Sequence, residues 1–150
     1  MISFPDTSFL CALYRTQVNS DRADQSMAAL NGPLMVSSLL LLEFRQSVRL
    51  QTRLRRNDVT KGYSLPEGEK MLQDLQLDLN AGVLKITPVD WAAVHQRAET
   101  LSSTHTLTAG HRLADILHVA TALQLGARTI LTFDINQKKL AEAEGLIVDL

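Results

Sequence analysis

Four acidic side chains of this sequence lie within apolar segments or at their ends: Asp6, Glu43, Asp115 and Asp134. Carboxylates in such places lose hydration and repel one another, so they ionise readily only if a cation lies between them. Mg²⁺ and Mn²⁺ prefer oxygen ligands of this kind. We therefore predict an acidic metal centre of the type that activates water against a phosphodiester, with the choice between one ion and two left open.

Asp115 is the least ordinary of these acids, because the helix predicted from Leu113 to Leu125 is otherwise apolar apart from His118 and Thr121. A spacing of three places the polar side chains on one narrow line of that helix. A solvated strip is the alternative, but so thin a strip favours an inward-facing carboxylate. We interpret His118 as a supporting group that hydrogen-bonds near the acid, rather than as a metal ligand or general base.

Asp6 and Asp134 each follow a predicted strand, and hydroxyl groups flank both, with Ser8 near the first and Thr132 near the second. Taken singly, each aspartate is equally well explained as a helix cap or turn residue, and Glu43 as a glutamate in an early helical turn. The case for a metal site therefore rests on the four acids taken together. A parallel sheet brings the carboxyl ends of its strands to one edge, where ligands bind.

The elements that must position these acids follow from apolar periodicity and turn residues. Short strands are predicted at residues 1–4, 34–37, 83–86, 129–132 and 146–148. Helices are predicted near residues 8–14, 21–30, 38–56, 66–80, 90–101, 113–125 and 137–144, with loops at 57–66 and 102–110. This alternation predicts one α/β domain over residues 1–150, in which helices flank a central, mostly parallel sheet of four to five short strands.

Composition narrows the classes of protein that remain. The chain has 150 residues and a net charge of −1, which suits one globular domain without overall attraction to nucleic acid or anionic membrane. Cys11 is the only cysteine, which excludes an internal disulfide and a cysteine-based zinc site and suits a reducing cytoplasm. Residues 1–6 contain no basic region ahead of an apolar core, so no export signal is predicted. Two serines interrupt the apolar stretch from Leu34 to Leu42, so no membrane span is predicted either.

Any binding of nucleic acid must therefore come from a local basic patch. Four arginines recur at spacings of four, four and three along one face of the helix that contains Glu43: Arg45, Arg49, Arg53 and Arg56. This arginine stripe is either a solubilising face or a surface that follows an RNA backbone or meets an acidic partner. Tyr63 is the only aromatic residue near the stripe, which favours folded RNA over stacking on single strands.

The chain also contains four short motifs in this order: Asp-Thr-Ser-Phe-Leu from residue 6, Ser-Ser-Leu-Leu-Leu-Leu-Glu-Phe from residue 37, Ala-Asp-Ile-Leu-His-Val-Ala-Thr-Ala-Leu from residue 114, and Thr-Ile-Leu-Thr-Phe-Asp-Ile-Asn from residue 129. Over nearly the whole chain they resemble the successive motifs of PIN-domain ribonucleases, especially VapC-like toxins of type II toxin–antitoxin pairs. The resemblance implies that the four acids form the metal site. It also implies three supporting polar groups: Ser8, Thr132 and Asn136.

The function implied by this resemblance is that of a Mg²⁺- or Mn²⁺-dependent endoribonuclease, active as a homodimer and silenced by a cognate antitoxin. Two other classes stay open: a Mg²⁺-binding phosphotransfer domain of the receiver or phosphatase type, and a non-catalytic PIN-like binding module. A receiver would carry an adjacent acidic pair after the first strand, and a phosphatase would carry aspartate at the position of Ser8. Neither a phosphate-binding glycine-lysine loop nor a dinucleotide glycine fingerprint is present.

Overall fold

In the computed structural model, which describes residues 1–150, the chain divides into two units. The first unit combines Met1–Phe9 with Thr87–Leu150, and the second is Leu10–Ile86. Helix α1 (Thr7–Tyr14) begins in the first unit and ends in the second. None of the helices has both the length and the apolar character that a membrane span requires.

The first unit is built on two parallel strands. Strand β1 (Ser3–Pro5) pairs with β4 (Thr129–Leu131), and Phe4 lies opposite Ile130. Pro5 is the last residue of β1, where its missing N–H is tolerated. The amide of the next residue, Asp6, then donates to the carbonyl of Leu131 at 3.0 Å. The pairing of the two strands therefore extends to the residue that carries the first acid.

Helices complete the first unit: α5 (Trp91–Leu101), α6 (Leu107–Ala109), α7 (Leu113–Gln124) and α8 (Ile135–Ala143). Helix α7 packs against both α5 and α8. Six large side chains of this unit are almost completely buried: Phe4, Phe9, Val94, Val119, Ile130 and Leu140. Each such side chain contributes about 1.5–3 kcal/mol by burial, so the strand ends rest on a well-packed apolar base.

The second unit pairs β2 (Leu34–Val36) in parallel with β3 (Leu84–Ile86). Its helices are α2 (Ser20–Ala28), α3 (Ser38–Asn57) and α4 (Leu65–Ala81). Local sequence fixes the helix ends: Ser37 caps α3, Ser64 and Glu67 form a capping box at α4, and Gly82 ends α4 with φ +75°. Helices α3 and α4 approach closely at Gly68, where a Cβ atom would lie 2.5 Å from the Thr52 hydroxyl.

The predicted α/β class is confirmed, but the strand arrangement differs. Four strands form two separate two-stranded parallel sheets instead of one sheet of four to five strands. The predicted strand at 146–148 is wrong, since Ile147 makes only an isolated bridge to Thr129. One hydrogen bond joins Ile147 N to Arg128 O and another joins Ile130 N to Ile147 O. A single bridged residue is too short a ladder to count as a strand.

The predicted loop at 102–110 is also wrong. Residues Ser102–Thr106 form a π-helical turn that continues α5, and α6 follows until Gly110 ends it with φ +70°. The hydroxyls of Ser103 and Thr104 donate back to the carbonyl of Thr100, at 3.0 and 2.8 Å. Such back-bonding satisfies the hydroxyl groups within the helical segment, so this polar sequence is compatible with helix.

Candidate active site: acids at the ends of β1 and β4

Asp6 directly follows β1 and caps α1. It is 2% exposed. Its Oδ1 accepts hydrogen bonds from Phe9 N at 2.9 Å and from Ser8 Oγ at 2.6 Å, while Oδ2 accepts from Thr132 Oγ1. Burial raises the pKa of Asp6, and these hydrogen bonds together with the neighbouring His118 oppose the increase. A capping aspartate normally stays hydrated, so this degree of burial points to a further role.

Thr132 joins two of the acids although they are far apart in sequence. Its hydroxyl donates to Asp6 Oδ2 and accepts from the backbone amide of Asp134 at 3.0 Å. Ser8 supports the same arrangement, because its Oγ donates to Asp6 and accepts from Phe133 N at 2.9 Å. These bonds fix the end of β4 against the start of α1. Both hydroxyl groups therefore contact Asp6 and the backbone at the end of β4, while their supporting role in a metal site stays a prediction.

Asp134 and Asp115 both lie at helix N-termini. Asp134 caps α8, where its Oδ1 accepts from Gln137 N at 3.0 Å. Asp115 lies in the first turn of α7, and its side chain is 7% exposed. Asp115 is therefore a buried carboxylate, and its function at the site stays a prediction. Acidic residues are common in the first turn of a helix, which is consistent with both positions.

A cation joins these two acids, and it is an arginine. Arg112 Nε donates to Asp115 Oδ2 at 3.0 Å, and Nη2 donates to Asp115 Oδ1 at 3.3 Å. The same Nη2 lies 3.5 Å from Asp134 Oδ2. Asp6, Thr132, Asp134, Arg112 and Asp115 thus form one continuous series of polar contacts in the first unit. The structure brings three of the four predicted acids into this series.

Arg112 is the site residue that the sequence reasoning missed. It is the N-cap residue of α7, yet its side chain makes no capping hydrogen bond. A cation is disfavoured at the positive end of a helix, so an arginine in this place needs a nearby acid to compensate. The acid three residues later, Asp115, was the available sequence signal.

The remaining predicted residues lie as follows. His118 is 1% exposed on α7 and lowers the pKa of Asp6 electrostatically, and its supporting role stays a prediction. Asn136 is exposed in the first turn of α8. Glu43 lies in the second unit, half-buried on α3, so its part in the site stays a prediction.

The arginine stripe also lies on α3. Arg49, Arg53 and Arg56 are exposed, so their side chains are accessible to a polyanion. Arg45 is half-buried and donates to Gln76 Oε1 of α4 at 3.3 Å. The stripe therefore consists of three accessible cations and a fourth that contributes to the contact between α3 and α4.

The chemistry of the carboxylates at the acidic site suits a hard divalent ion. Three carboxylates supply only oxygen ligands, and the guanidinium between Asp115 and Asp134 shows that this position favours positive charge. In this structure, no three or more His, Cys, Asp or Glu side chains lie close enough together to hold a metal ion. Asp6, Asp115 and Asp134 are the residues whose chemistry suits one.

Acids at the carboxyl ends of parallel strands, linked by a buried hydroxyl, place this chain among α/β proteins with an acidic centre. The PIN domain family matches residues 3–143. The chain belongs to the PIN domain family, and the resemblance seen in its motifs is confirmed. Comparison with curated proteins finds no match in sequence.

Solved structures agree with this assignment in fold. The toxin VapC20 of Mycobacterium tuberculosis, described as cleaving the sarcin-ricin loop, is similar with a TM-score of 0.66 and 19% identity, over 97% of this chain and 96% of that one. FitAcB of Neisseria gonorrhoeae gives 0.65 and 20%, over 98% and 96%. VapBC2 of Rickettsia felis, bound to a promoter DNA fragment, gives 0.64 and 20%, over 99% and 98%.

Proposed function

We propose that this chain, taken over residues 1–150 as one nuclease domain, is a Mg²⁺- or Mn²⁺-dependent endoribonuclease and the toxin of a toxin–antitoxin pair. The observation that carries the proposal is the series of contacts that links Asp6 to Asp134 through Thr132, and Asp134 to Asp115 through the charge of Arg112. Acids so arranged, on a PIN fold, suit the hydrolysis of a phosphodiester.

Some residues of the site would bind the ion, and others position the side chains that bind it. Asp6, Asp115 and Asp134 would hold the ion, which when bound supplies an activated water and neutralises the charge of the phosphate. Thr132 and Ser8 keep Asp6 oriented through the hydrogen bonds already described. His118 provides a buried polar neighbour to Asp6. A carboxylate held by two hydroxyl donors and one amide loses little freedom when a ligand arrives, which favours precise placement of the reacting water.

We further propose that the substrate is structured RNA. The exposed arginines of the stripe provide phosphate contacts without aromatic platforms for base stacking. VapC20, a structural neighbour, is described as a toxin that cleaves the sarcin-ricin loop, which is compatible with such a substrate.

Structural neighbours of this chain also suggest its partners. VapBC2 and a Klebsiella pneumoniae structure described as a toxin–antitoxin complex have the same fold as this chain. We propose a cognate antitoxin for this chain on that basis, together with a homodimeric state and a cytoplasmic location.

Cleavage of a labelled RNA hairpin tests the activity. Purified protein should cut the hairpin with Mg²⁺ or Mn²⁺ present and stop when EDTA is in excess, while an unstructured oligonucleotide of equal length is cut more slowly. Undiminished cleavage in excess EDTA would contradict the metal mechanism. Hydrolysis of small phosphate esters without RNA cleavage would instead favour the phosphatase class.

The matched variant for this assay is Asp115→Asn, which keeps the side-chain shape and removes the charge. We expect cleavage to be abolished while the free energy of unfolding in EDTA changes by less than about 1 kcal/mol, because the ion pair that it loses is with a largely exposed arginine. A loss of several kcal/mol would mean that Asp115 has a structural role, and the functional assignment would fail.

A further inference from the structure

The contact made by Arg112 uses the carboxylate oxygens that a metal ion would need. Both oxygens of Asp115 and the Oδ2 of Asp134 face its guanidinium, at 3.0, 3.3 and 3.5 Å. A divalent ion at these oxygens would lie close to the guanidinium, so repulsion between the two positive charges disfavours joint occupation. The planar guanidinium suits two carboxylates at once, because its donors form a rigid fork.

The position of Arg112 makes this contact easy to release. Its side chain is 74% exposed, so it can leave the acids without opening a cavity in the core. It stands in the short connection between α6 and α7, directly after Gly110 and His111, and Gly110 has the left-handed φ of +70°. The N-terminus of α7 also disfavours the cation, and the contacts with Asp115 and Asp134 offset this cost.

We infer that Arg112 is an internal counter-ion that occupies the metal position at Asp115 and Asp134 and is displaced when a divalent ion binds. The inference rests on the proposed metal-dependent function and adds to it a residue that regulates loading of the site. Without metal, Arg112 relieves the repulsion between the two acids and stabilises the fold. With metal, the guanidinium would be released, and Asp115 and Asp134 would hold the ion instead.

Direct measurement of Mn²⁺ binding by isothermal titration calorimetry tests this competition. The variants are Arg112→Gln, which removes the charge, and Arg112→Lys, which keeps the charge but lacks the fork that reaches two carboxylates. We expect Arg112→Gln to bind Mn²⁺ about fivefold more tightly than the wild type, the effect of a largely exposed ion pair. Arg112→Lys should fall between the two, and Arg97→Ala, an exposed arginine on α5, should match the wild type.

Thermal unfolding provides a second readout that does not depend on activity. In EDTA, Arg112→Gln should melt at a lower temperature than the wild type, because two acids lose their shared cation. At saturating Mn²⁺ the difference should disappear or reverse, since the ion supplies the charge and binds the variant more tightly. A difference in melting temperature that stays the same with and without Mn²⁺ would mean that Arg112 is only structural, and would overturn the inference.

The calorimetric outcomes separate this inference from the proposed function. If all three Arg112 forms bind Mn²⁺ equally, the competition is refuted and the metal-dependent nuclease stands. If Arg112→Lys equals the wild type and only Arg112→Gln is tighter, charge acting through space explains the effect and the inference is again refuted. If no form binds Mn²⁺, the proposed metal-dependent function fails together with it.

Discussion

Replacing Thr132 by valine tests whether one buried hydroxyl holds the acidic site together. The change keeps the side-chain shape but removes the donor to Asp6 Oδ2 and the acceptor for the Asp134 amide. A hydrogen bond to a charged acceptor contributes about 1.5–3 kcal/mol and an ordinary one about 0.5–1.5 kcal/mol. We therefore expect Thr132→Val to lower the free energy of unfolding by about 2–4 kcal/mol.

Thr132→Ser is the matched control, because it keeps the hydroxyl and loses one methyl group, at a cost of about 1 kcal/mol. Urea unfolding followed by circular dichroism in EDTA measures both variants against the wild type. RNA cleavage should fall strongly in the valine variant and remain substantial in the serine variant. If the two variants lose the same stability, the hydroxyl does not carry the energy assigned to it, and the positioning role of Thr132 is refuted.

The cost of Thr132→Val should also depend on pH. Burial raises the pKa of Asp6 and the Thr132 hydrogen bond opposes that increase, so the valine variant should raise this pKa further. The additional destabilisation is present while Asp6 is ionised, above its folded-state pKa. It decreases as the pH falls through that pKa, because a protonated Asp6 no longer needs the donor as strongly. The difference between valine and serine variants should therefore be larger at pH 8 than in mild acid, and an increase on acidification would contradict the assignment.

Two further predictions concern the second unit. Arg49→Ala with Arg53→Ala should weaken RNA binding across unrelated sequences. It should also reduce the slope of log affinity against log salt by about 0.7–0.9 for each phosphate that the variant no longer neutralises. Fluorescence anisotropy in a salt series measures both effects, and Arg97→Ala, the control, should show neither. An unchanged slope with altered oligomeric state or antitoxin binding would assign the stripe to protein contacts. Tyr14→Phe removes a 2.7 Å hydrogen bond to Asp78 and should cost about 1–2 kcal/mol in urea unfolding, and a neutral result would show that water replaces the phenol.

The helices were the most predictable part of the fold, because their signals are local. Helix α4 was predicted at 66–80 and spans Leu65–Ala81, since its capping box, apolar spacing and terminal Gly82 all lie within the segment. The strands were less predictable. Three-residue strands such as β1 and β4 are too short for an alternating pattern, and their pairing depends on residues far along the chain.

The residues of the acidic site also differ in whether local sequence could place them. Asp6 and Asp134 could be placed at strand ends because the motifs around them are contiguous. The contact between Arg112 and Asp134 joins residues 22 positions apart and depends on where α7 begins, which no local pattern fixes. Arg112 was therefore missed, although its position before an acidic first turn was visible in the sequence.

The bond between Thr132 and Asp6 has a consequence for the biosynthesis of the protein. The two residues are 126 positions apart, so a growing chain carries Asp6 long before its partner exists. At a synthesis rate of about 5–20 residues per second, Asp6 waits about 6–25 s for Thr132 to be made. A product of interrupted translation would contain the first acid without the hydroxyl that orients it. The acidic site is thus completed late in synthesis, and a chain that ends before Thr132 lacks the hydrogen bond that orients Asp6.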